Sequence, residues 1–391
     1  MALGVTTRAL AVAASLSACP PGVVREASLP PVASLPLDPA GGAIYVPAVL
    51  NDDSAWLMLD TGLSHTGVDQ DWARTISLAA AESASATVLH RLQLGEVELR
   101  DVDVALYPLR GLSEASGRPQ RGLLGHDVLQ RFTVDIDYRA RRVRLLDPTR
   151  YRYAGRGTSV PFTPDADLPL VHGQLKVPGR RPIPARLLLD TGASGLCLIL
   201  TTPFVEEHDL GHLTPAIAAP IGTGLAGDLH GTIVRLQELR LGGFQVRSPT
   251  TGLGGERKGF LGRTDIDGVI GTAVFQDARL IVDYARRRVI VEPSKDAGGG
   301  SCDYDHSGLR LIARGPRLEH VVVDYVVPRS PAADAAILVG DELLLIDGRR
   351  VAEADLSAVR QTLRVAGARR RLVLLREKDT VRVSLQLRRL L

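Results

Sequence analysis

From about residue 37 to residue 295 the chain alternates apolar and polar positions in short runs broken by Gly, Pro and Asp. The stretches "RLQLGEVELRDVDVALY" (91–107) and "IVRLQELRLGGFQVRSP" (233–249) keep a period of two, which predicts strands joined by tight turns. Two runs abandon the alternation: "SAWLML" (54–59) and "ARLLL" (185–189) are almost wholly apolar, as buried strands are, and each ends on Asp-Thr-Gly. A carboxylate at the end of a buried strand is costly unless something uses it.

The body also repeats itself. "GLLGHDVLQRFTVDIDYRARRVRLLDP" (122–148) matches "GVIGTAVFQDARLIVDYARRRVIVEP" (268–293): Gly122, Gly125, Val128, Gln130, Asp137 and Tyr138 recur as Gly268, Gly271, Val274, Gln276, Asp283 and Tyr284. A "LDTG" segment precedes each copy, at Leu59–Gly62 and Leu189–Gly192. The interval is longer in the second copy, so its insertion falls within 200–260. The pattern predicts two related β lobes, at 37–152 and 153–293. A Gly-rich linker follows at 294–305. Beyond it, strands and a helical "ADLSAVRQTLRVAG" predict a separate α+β domain at 306–391.

The chemistry of the two turns follows from placing Asp60 opposite Asp190. Two carboxyls a few ångströms apart do not both ionise readily, so they share a proton and can activate a water between them. Thr61 and Thr191 carry hydroxyls small enough to bury if a backbone partner is found. Gly62 and Gly192 permit the close turn, and Ser64 and Ser194 are placed to donate to their own lobe's carboxylate. Each "DTG(L/A)S" is followed downstream by an apolar-apolar-Gly motif, Leu123-Leu124-Gly125 and Val269-Ile270-Gly271.

Together these motifs resemble the retropepsin/pepsin class of aspartic proteases, over about residues 40–293. The resemblance implies a mainly β fold of two pseudo-symmetric lobes, an Asp60–Asp190 catalytic dyad, no metal or cofactor, and a peptide or protein substrate. It also implies a glycine-containing flap, for which "PIGTGLAGDLHG" (220–231), with Gly222, Thr223 and Gly224, is the candidate in the second lobe. The corresponding "LAAAESASATVLH" (78–90) has no glycine, so two symmetric flaps are not expected. The competing reading is a non-catalytic peptide-binding scaffold that keeps the turns as structural remnants.

"SGLRLIA" (307–313) and "SPAADAAILVGDELLLIDG" (330–348) resemble a bacterial PDZ domain, with Ala336 where relatives usually have glycine. The resemblance implies capture of an extended peptide at a sheet edge, with its C-terminal carboxylate held by the Gly308, Leu309, Arg310 and Leu311 loop.

Other features narrow the function. The formal net charge is +3, almost all the cations are arginines, and they mostly alternate with apolar residues, so no nucleic-acid stripe is expected. The triplets "RRR" at 286–288 and 369–371 are expected in solvated turns. "EEHDLGH" (206–212) spaces two histidines at i and i+4 but lacks the zincin glutamate, no G-x-S-x-G elbow occurs, and His65 reads as a surface or subsite residue. At the N-terminus, "MALGVTTRALAVAASLSACPPG" has Arg8 and a short apolar run, then "Leu-Ser-Ala-Cys", which resembles a bacterial lipobox. That implies a signal over 1–19, lipidation of Cys19, a Pro-rich tether at 20–36, and an exported, periplasmic, membrane-anchored protein. Cys197 and Cys302 are then left. They can pair in an oxidising compartment, but spacing gives no geometry, and Cys197 alone reads as a buried small hydrophobe.

Overall fold

The computed structural model describes residues 32–78, 85–165, 168–294 and 302–391. The lipidation candidate Cys19 lies outside them. In the first lobe, six strands close into a barrel in the order Tyr45–Leu50, Asp53–Leu59, Gly122–Leu124, Gly67–Asp69, Val97–Tyr107 and Ala86–Leu94. Asp53–Leu59 runs parallel to Gly122–Leu124, which is antiparallel to Gly67–Asp69, itself parallel to Val97–Tyr107. The second lobe repeats this pairing with Ile183–Leu189, Gly268–Ile270, Leu198–Leu200 and Thr250–Gly254. The repeat in the sequence is therefore a repeat of strand pairing.

The two apolar runs lose their alternation because both of their faces are covered. Leu57 and Leu59 enter the main core while Met58 packs into a smaller cluster with Tyr45 and Leu123. Leu187 and Leu189 likewise enter the main core, and Leu188 joins Ile266 and Val269 on the other side. Each fully buried leucine contributes about 1.5–3 kcal/mol, which fixes the end of its strand, and hence the acid after it, in space.

Six consecutive strands of a larger sheet join the lobes: Ala33–Pro36, Arg142–Leu146, Thr133–Asp137, Ala278–Asp283, Arg288–Pro293 and Thr158–Asp165. At its middle, Thr133–Asp137 of the first lobe pairs antiparallel with Ala278–Asp283 of the second. Fully buried Asp135 accepts from Arg279 Nε at 2.8 Å and Nη2 at 2.9 Å, and is also paired with Arg144. The predicted tether ends earlier than expected, because Ala33–Pro36 is a strand of this sheet, its Ala33 and Leu35 buried beside Val143 and Leu145.

The C-terminal domain has its own core, built around Leu311, Val323, Val359 and Leu374. Its main strands run in the order Leu309–Arg314, His320–Val326, Glu342–Ile346, Arg369–Arg376 and Asp379–Gln386. Leu309–Arg314 is thus an edge strand, and helix Leu356–Thr362 lies beside it. Ala336 adopts φ 53°, which explains the glycine expected there. The first arginine triplet straddles a turn, Arg286 ending a short helical turn and Arg288 opening a strand. Residues 369–371 open a strand, where Arg370 donates to the Thr362 carbonyl and Arg371 N–H to Asp347.

Cys197 and Cys302 form a disulfide with a Cα–Cα distance of 5.7 Å, joining the second lobe to the entry of the C-terminal domain. The pairing left open by the sequence is made because the segment 302–305 does not hang free. Arg235 holds it, donating to the Cys302 carbonyl at 3.0 Å and to Asp303 at 3.1 Å.

Asp135→Ala is expected to cost about 3 kcal/mol of stability by stranding its arginine partners, against a smaller loss for Asp135→Asn, both read by urea unfolding. Reducing the disulfide, which spans 105 residues of sequence, is expected to cost about 2–4 kcal/mol, measured as a fall in the unfolding midpoint with and without dithiothreitol.

Candidate active site

The two Asp-Thr-Gly turns meet at the interface between the lobes. Thr61 Oγ1 donates to the Leu189 carbonyl at 2.7 Å, and Thr191 Oγ1 donates to the Leu59 carbonyl at 2.7 Å. In return, Thr61 N–H donates to Thr191 Oγ1 and Thr191 N–H donates to Thr61 Oγ1, each at 3.0 Å. Each hydroxyl donates once and accepts once, so both threonines are satisfied although buried to about 0% and 1% exposure. Four reciprocal bonds leave the two loops one relative placement.

Below each turn lies the apolar-apolar-Gly strand. Asp60 N–H donates to the Leu124 carbonyl at 3.0 Å and Asp190 N–H to the Ile270 carbonyl at 3.1 Å. Glycine is required at Gly125 and Gly271. A Cβ at Gly125 would fall 2.7 Å from the His65 carbonyl carbon, and one at Gly271 would fall 2.7 Å from the Leu196 oxygen. Thr272 Oγ1 reaches further and donates to the Gly42 carbonyl at 2.7 Å, tying the second loop to the first lobe.

The carboxyls of Asp60 and Asp190 lie at the meeting of the two turns, each against the opposite loop's glycine. The close approach explains Gly62 and Gly192, since a Cβ on either would stand within 3 Å of the opposite carboxyl oxygens. The environments of the acids differ. Asp60 Oδ1 accepts one backbone N–H, from Gly62 at 3.0 Å. Asp190 Oδ1 accepts two, from Gly192 at 2.7 Å and Ala193 at 3.1 Å. Burial, followed by repulsion from Asp190, raises the Asp60 pKa well above the ordinary carboxylate range. Burial also raises Asp190, but its interaction with Asp60 and its hydrogen bonds to Gly192 and Ala193 oppose the shift. With two backbone N–H donors against one, Asp190 is the better stabilised of the two as an anion.

Ser64 and Ser194 do not make the bonds expected of them. The carboxylates are served by backbone N–H groups instead, and Ser194 is exposed to solvent while Ser64 is half-buried. Ser64 stands two residues beyond Gly62 and Ser194 one beyond Ala193, the last N–H groups that close on each acid, so each serine has passed the turn.

Other residues at the site carried no signal in the sequence. Asp127 Oδ1 accepts from Thr66 N–H at 2.9 Å and Thr66 Oγ1 at 2.7 Å, stiffening the exit of the first loop. The Tyr107 ring packs over Gly67, and its hydroxyl pKa is raised by burial and then by the Asp60 charge. Gly222, Thr223 and Gly224 lie on a hairpin, Ala216–Gly224 with Gly227–Arg235, that projects from the second lobe. The expected lack of a matching hairpin in the first lobe concerns 78–90, of which 79–84 lie outside the described residues. The strand Ala86–Leu94 that follows pairs with the barrel. His65 is exposed. His212 pairs only with Asp209, at 3.3 Å, and no group of three or more His, Cys, Asp or Glu side chains suited to a metal occurs among the described residues.

In the C-terminal domain the four loop residues behave differently from expectation. Gly308 N–H donates to Asp305 Oδ1 at 2.6 Å and Leu309 N–H to Ser307 Oγ at 3.1 Å, so both are already satisfied within the chain. Leu309, Arg310 and Leu311 begin the edge strand, and the Arg310 side chain reaches the second lobe.

The PDZ domain family matches residues 322–377. This part of the chain is a PDZ domain. None of the curated proteins compared matches the chain. Among solved structures, the aspartic proteinase from Irpex lacteus is similar at 12% identity and a TM-score of 0.42, covering 69% of this chain and 99% of that one. At that distance the likeness assigns no activity to this protein; the PDZ match bears on its last segment alone.

The raised Asp60 pKa has a consequence for stability. Below the ordinary carboxylate pKa both folded and unfolded states hold the proton. As pH rises toward the folded value, only the unfolded state releases it, and stability falls. Asp60→Asn is thus expected to match the parent protein near pH 3 and to exceed it in stability at neutral pH, as read from denaturant titrations across that range.

Proposed function

We propose that this protein is an aspartic endopeptidase in which the PDZ domain binds peptide or regulates the cleft. The observation that carries the reading is the close approach of the Asp60 and Asp190 turns, each glycine set against the opposite carboxyl, at the centre of the reciprocal threonine lattice. A peptide laid between the lobes would meet one protonated acid, one carboxylate and the water held between them. Asp190, anionic, takes a proton from the water as its oxygen adds to the scissile carbonyl carbon. Asp60 gives its proton to the carbonyl oxygen, forming a neutral gem-diol. Collapse returns that hydroxyl proton to Asp60, Asp190 protonates the departing nitrogen, and the C–N bond breaks to a carboxyl and an amine. No net proton is consumed across the cycle.

The fixed loops supply the orientation, because neither acid has to reorganise when charge moves. The hairpin Ala216–Arg235 serves as a flap over the cleft. The N-terminal segment belongs to the same reading: export, lipidation at Cys19 and residence on a membrane face in the periplasm, with peptides or proteins as substrates.

The test is turnover of a fluorogenic peptide library by the parent protein, Asp60→Asn and Asp190→Asn, across pH 3–8. Each variant is expected to lose about 10³-fold or more of kcat. The parent should show a bell, rising as the first carboxyl ionises and falling as the pair surrenders its shared proton at the raised Asp60 value. Equal turnover in all three proteins would refute the dyad, whereas no turnover by the parent at any pH, alongside normal peptide binding, would leave the peptide-binding scaffold.

A further inference from the structure

The PDZ domain does not stand apart from the two lobes. An extended peptide joins a PDZ domain by pairing with the edge strand beside the long helix, here Leu309–Arg314 and Leu356–Thr362. That place is taken. Helix Arg110–Ser116 of the first lobe packs against the edge strand. Arg110 donates to the Gly315 carbonyl at 2.8 Å and Arg314 pairs with Glu114 at 2.7 Å. Arg360, on the long helix, donates both to the Ala115 carbonyl and to the Leu311 carbonyl of the edge strand. At the other end of the groove, Gly117 lies so close to Leu356 that a Cβ there would clash.

The same strand also holds the hairpin proposed as the flap. Arg310 donates to both carboxylate oxygens of Asp228, at 3.0 Å from Nη1 and 2.6 Å from Nη2, and to Thr223 Oγ1 at 2.9 Å. Thr223 Oγ1 in turn donates to Asp228 Oδ1 at 2.8 Å, closing a ring of contacts around the hairpin tip. Arg310 is itself steadied by Asp324 at 3.3 Å. A two-pronged guanidinium–carboxylate contact is among the stronger side-chain interactions and has a fixed direction. Lower down the hairpin, Tyr325 OH donates to the Ala218 carbonyl at 3.0 Å. There Val327, Tyr304 and Leu391 join the apolar cluster of Ile217 and Ile221. One wall of the PDZ groove thus touches helix Arg110–Ser116 from the first lobe and the hairpin from the second.

We propose that the PDZ domain is a latch on the cleft: its peptide groove is filled in cis by helix Arg110–Ser116, and Arg310 holds the flap hairpin down at Asp228 and Thr223. This rests on the reading of the hairpin as a flap. A polypeptide substrate enters only after the hairpin lifts, and lifting requires that the Arg310 fork let go. The latched protein is therefore the slow form, and weakening the fork accelerates entry.

The experiment compares the full chain with Arg310→Ala, Arg310→Lys and Arg360→Met, each also made on the Asp190→Asn background. Amide exchange over 216–235 reports the hairpin whether or not the protein cleaves anything. Arg310→Ala is expected to speed exchange there about tenfold on both backgrounds, with Arg310→Lys intermediate because it keeps the charge and loses the fork. Arg360→Met is expected to speed exchange over 110–117. Turnover of a fluorogenic peptide should rise several-fold in kcat/KM for Arg310→Ala with unchanged thermal unfolding. Unaltered exchange over 216–235 in Arg310→Ala overturns the latch. Faster exchange with lower turnover overturns it as well, since the fork would then serve the working position of the flap. Faster exchange in a protein that cleaves no peptide on either background leaves the latch standing and removes the protease reading.

Discussion

Everything in the two lobes depends on the crossed hydrogen bonds of Thr61 and Thr191. Each threonine spends its hydroxyl on the strand that ends in the other lobe's acid, donating to the Leu189 and Leu59 carbonyls. The acids therefore cannot move apart without breaking a buried lattice in which every donor and acceptor is used. Such a network is costly to open, because any partner left behind is buried without water. Repulsion between two carboxyls would otherwise drive the loops apart. Here it is expressed, together with burial, as a raised pKa on Asp60.

The interlobe sheet supports that arrangement from below. Strands Thr133–Asp137 and Ala278–Asp283 pair across the lobes, and Asp135 is bound by Arg279 from the opposite lobe. The lobes thus share a hydrogen-bonded floor as well as a roof. Placement of the dyad is a property of both, whereas the asymmetry within the dyad is local: one additional N–H, from Ala193, separates the environment of Asp190 from that of Asp60.

The PDZ domain adds a third constraint of a different kind. Its own core is closed by Leu311, Val323, Val359 and Leu374, yet its edge strand is spent on neighbours. Asp305 satisfies the Gly308 N–H and Arg360 occupies the Leu311 carbonyl, groups that an incoming peptide strand or carboxylate would need. The disulfide Cys197–Cys302 anchors this domain seven residues after Asp190, so its position is coupled covalently to the second loop.

Much of this was legible in the chain alone. The period of two, the duplicated "GLLGHDVLQ" and "GVIGTAVFQ" segments and the apolar runs ending in Asp-Thr-Gly follow from rules of short range: strand alternation, burial and the turn-making of glycine. They determined a mainly β body of paired lobes, the acids at the ends of its central strands, and the C-terminal domain. What the sequence could not determine was every contact made between segments distant along the chain. It placed serines near the acids but not the backbone N–H groups that bind them, and it left Cys197 and Cys302 unpaired because spacing carries no geometry. It read residues 33–36 as tether, since a strand is recognised only when its partner, Arg142–Leu146, is present. It assigned Arg310 to a peptide-binding loop, whereas the fold carries that side chain to Asp228, 82 residues away. Alternation and turn chemistry act between neighbours in sequence; hydrogen bonds and ion pairs act between neighbours in space, and only the tertiary structure decides which those are.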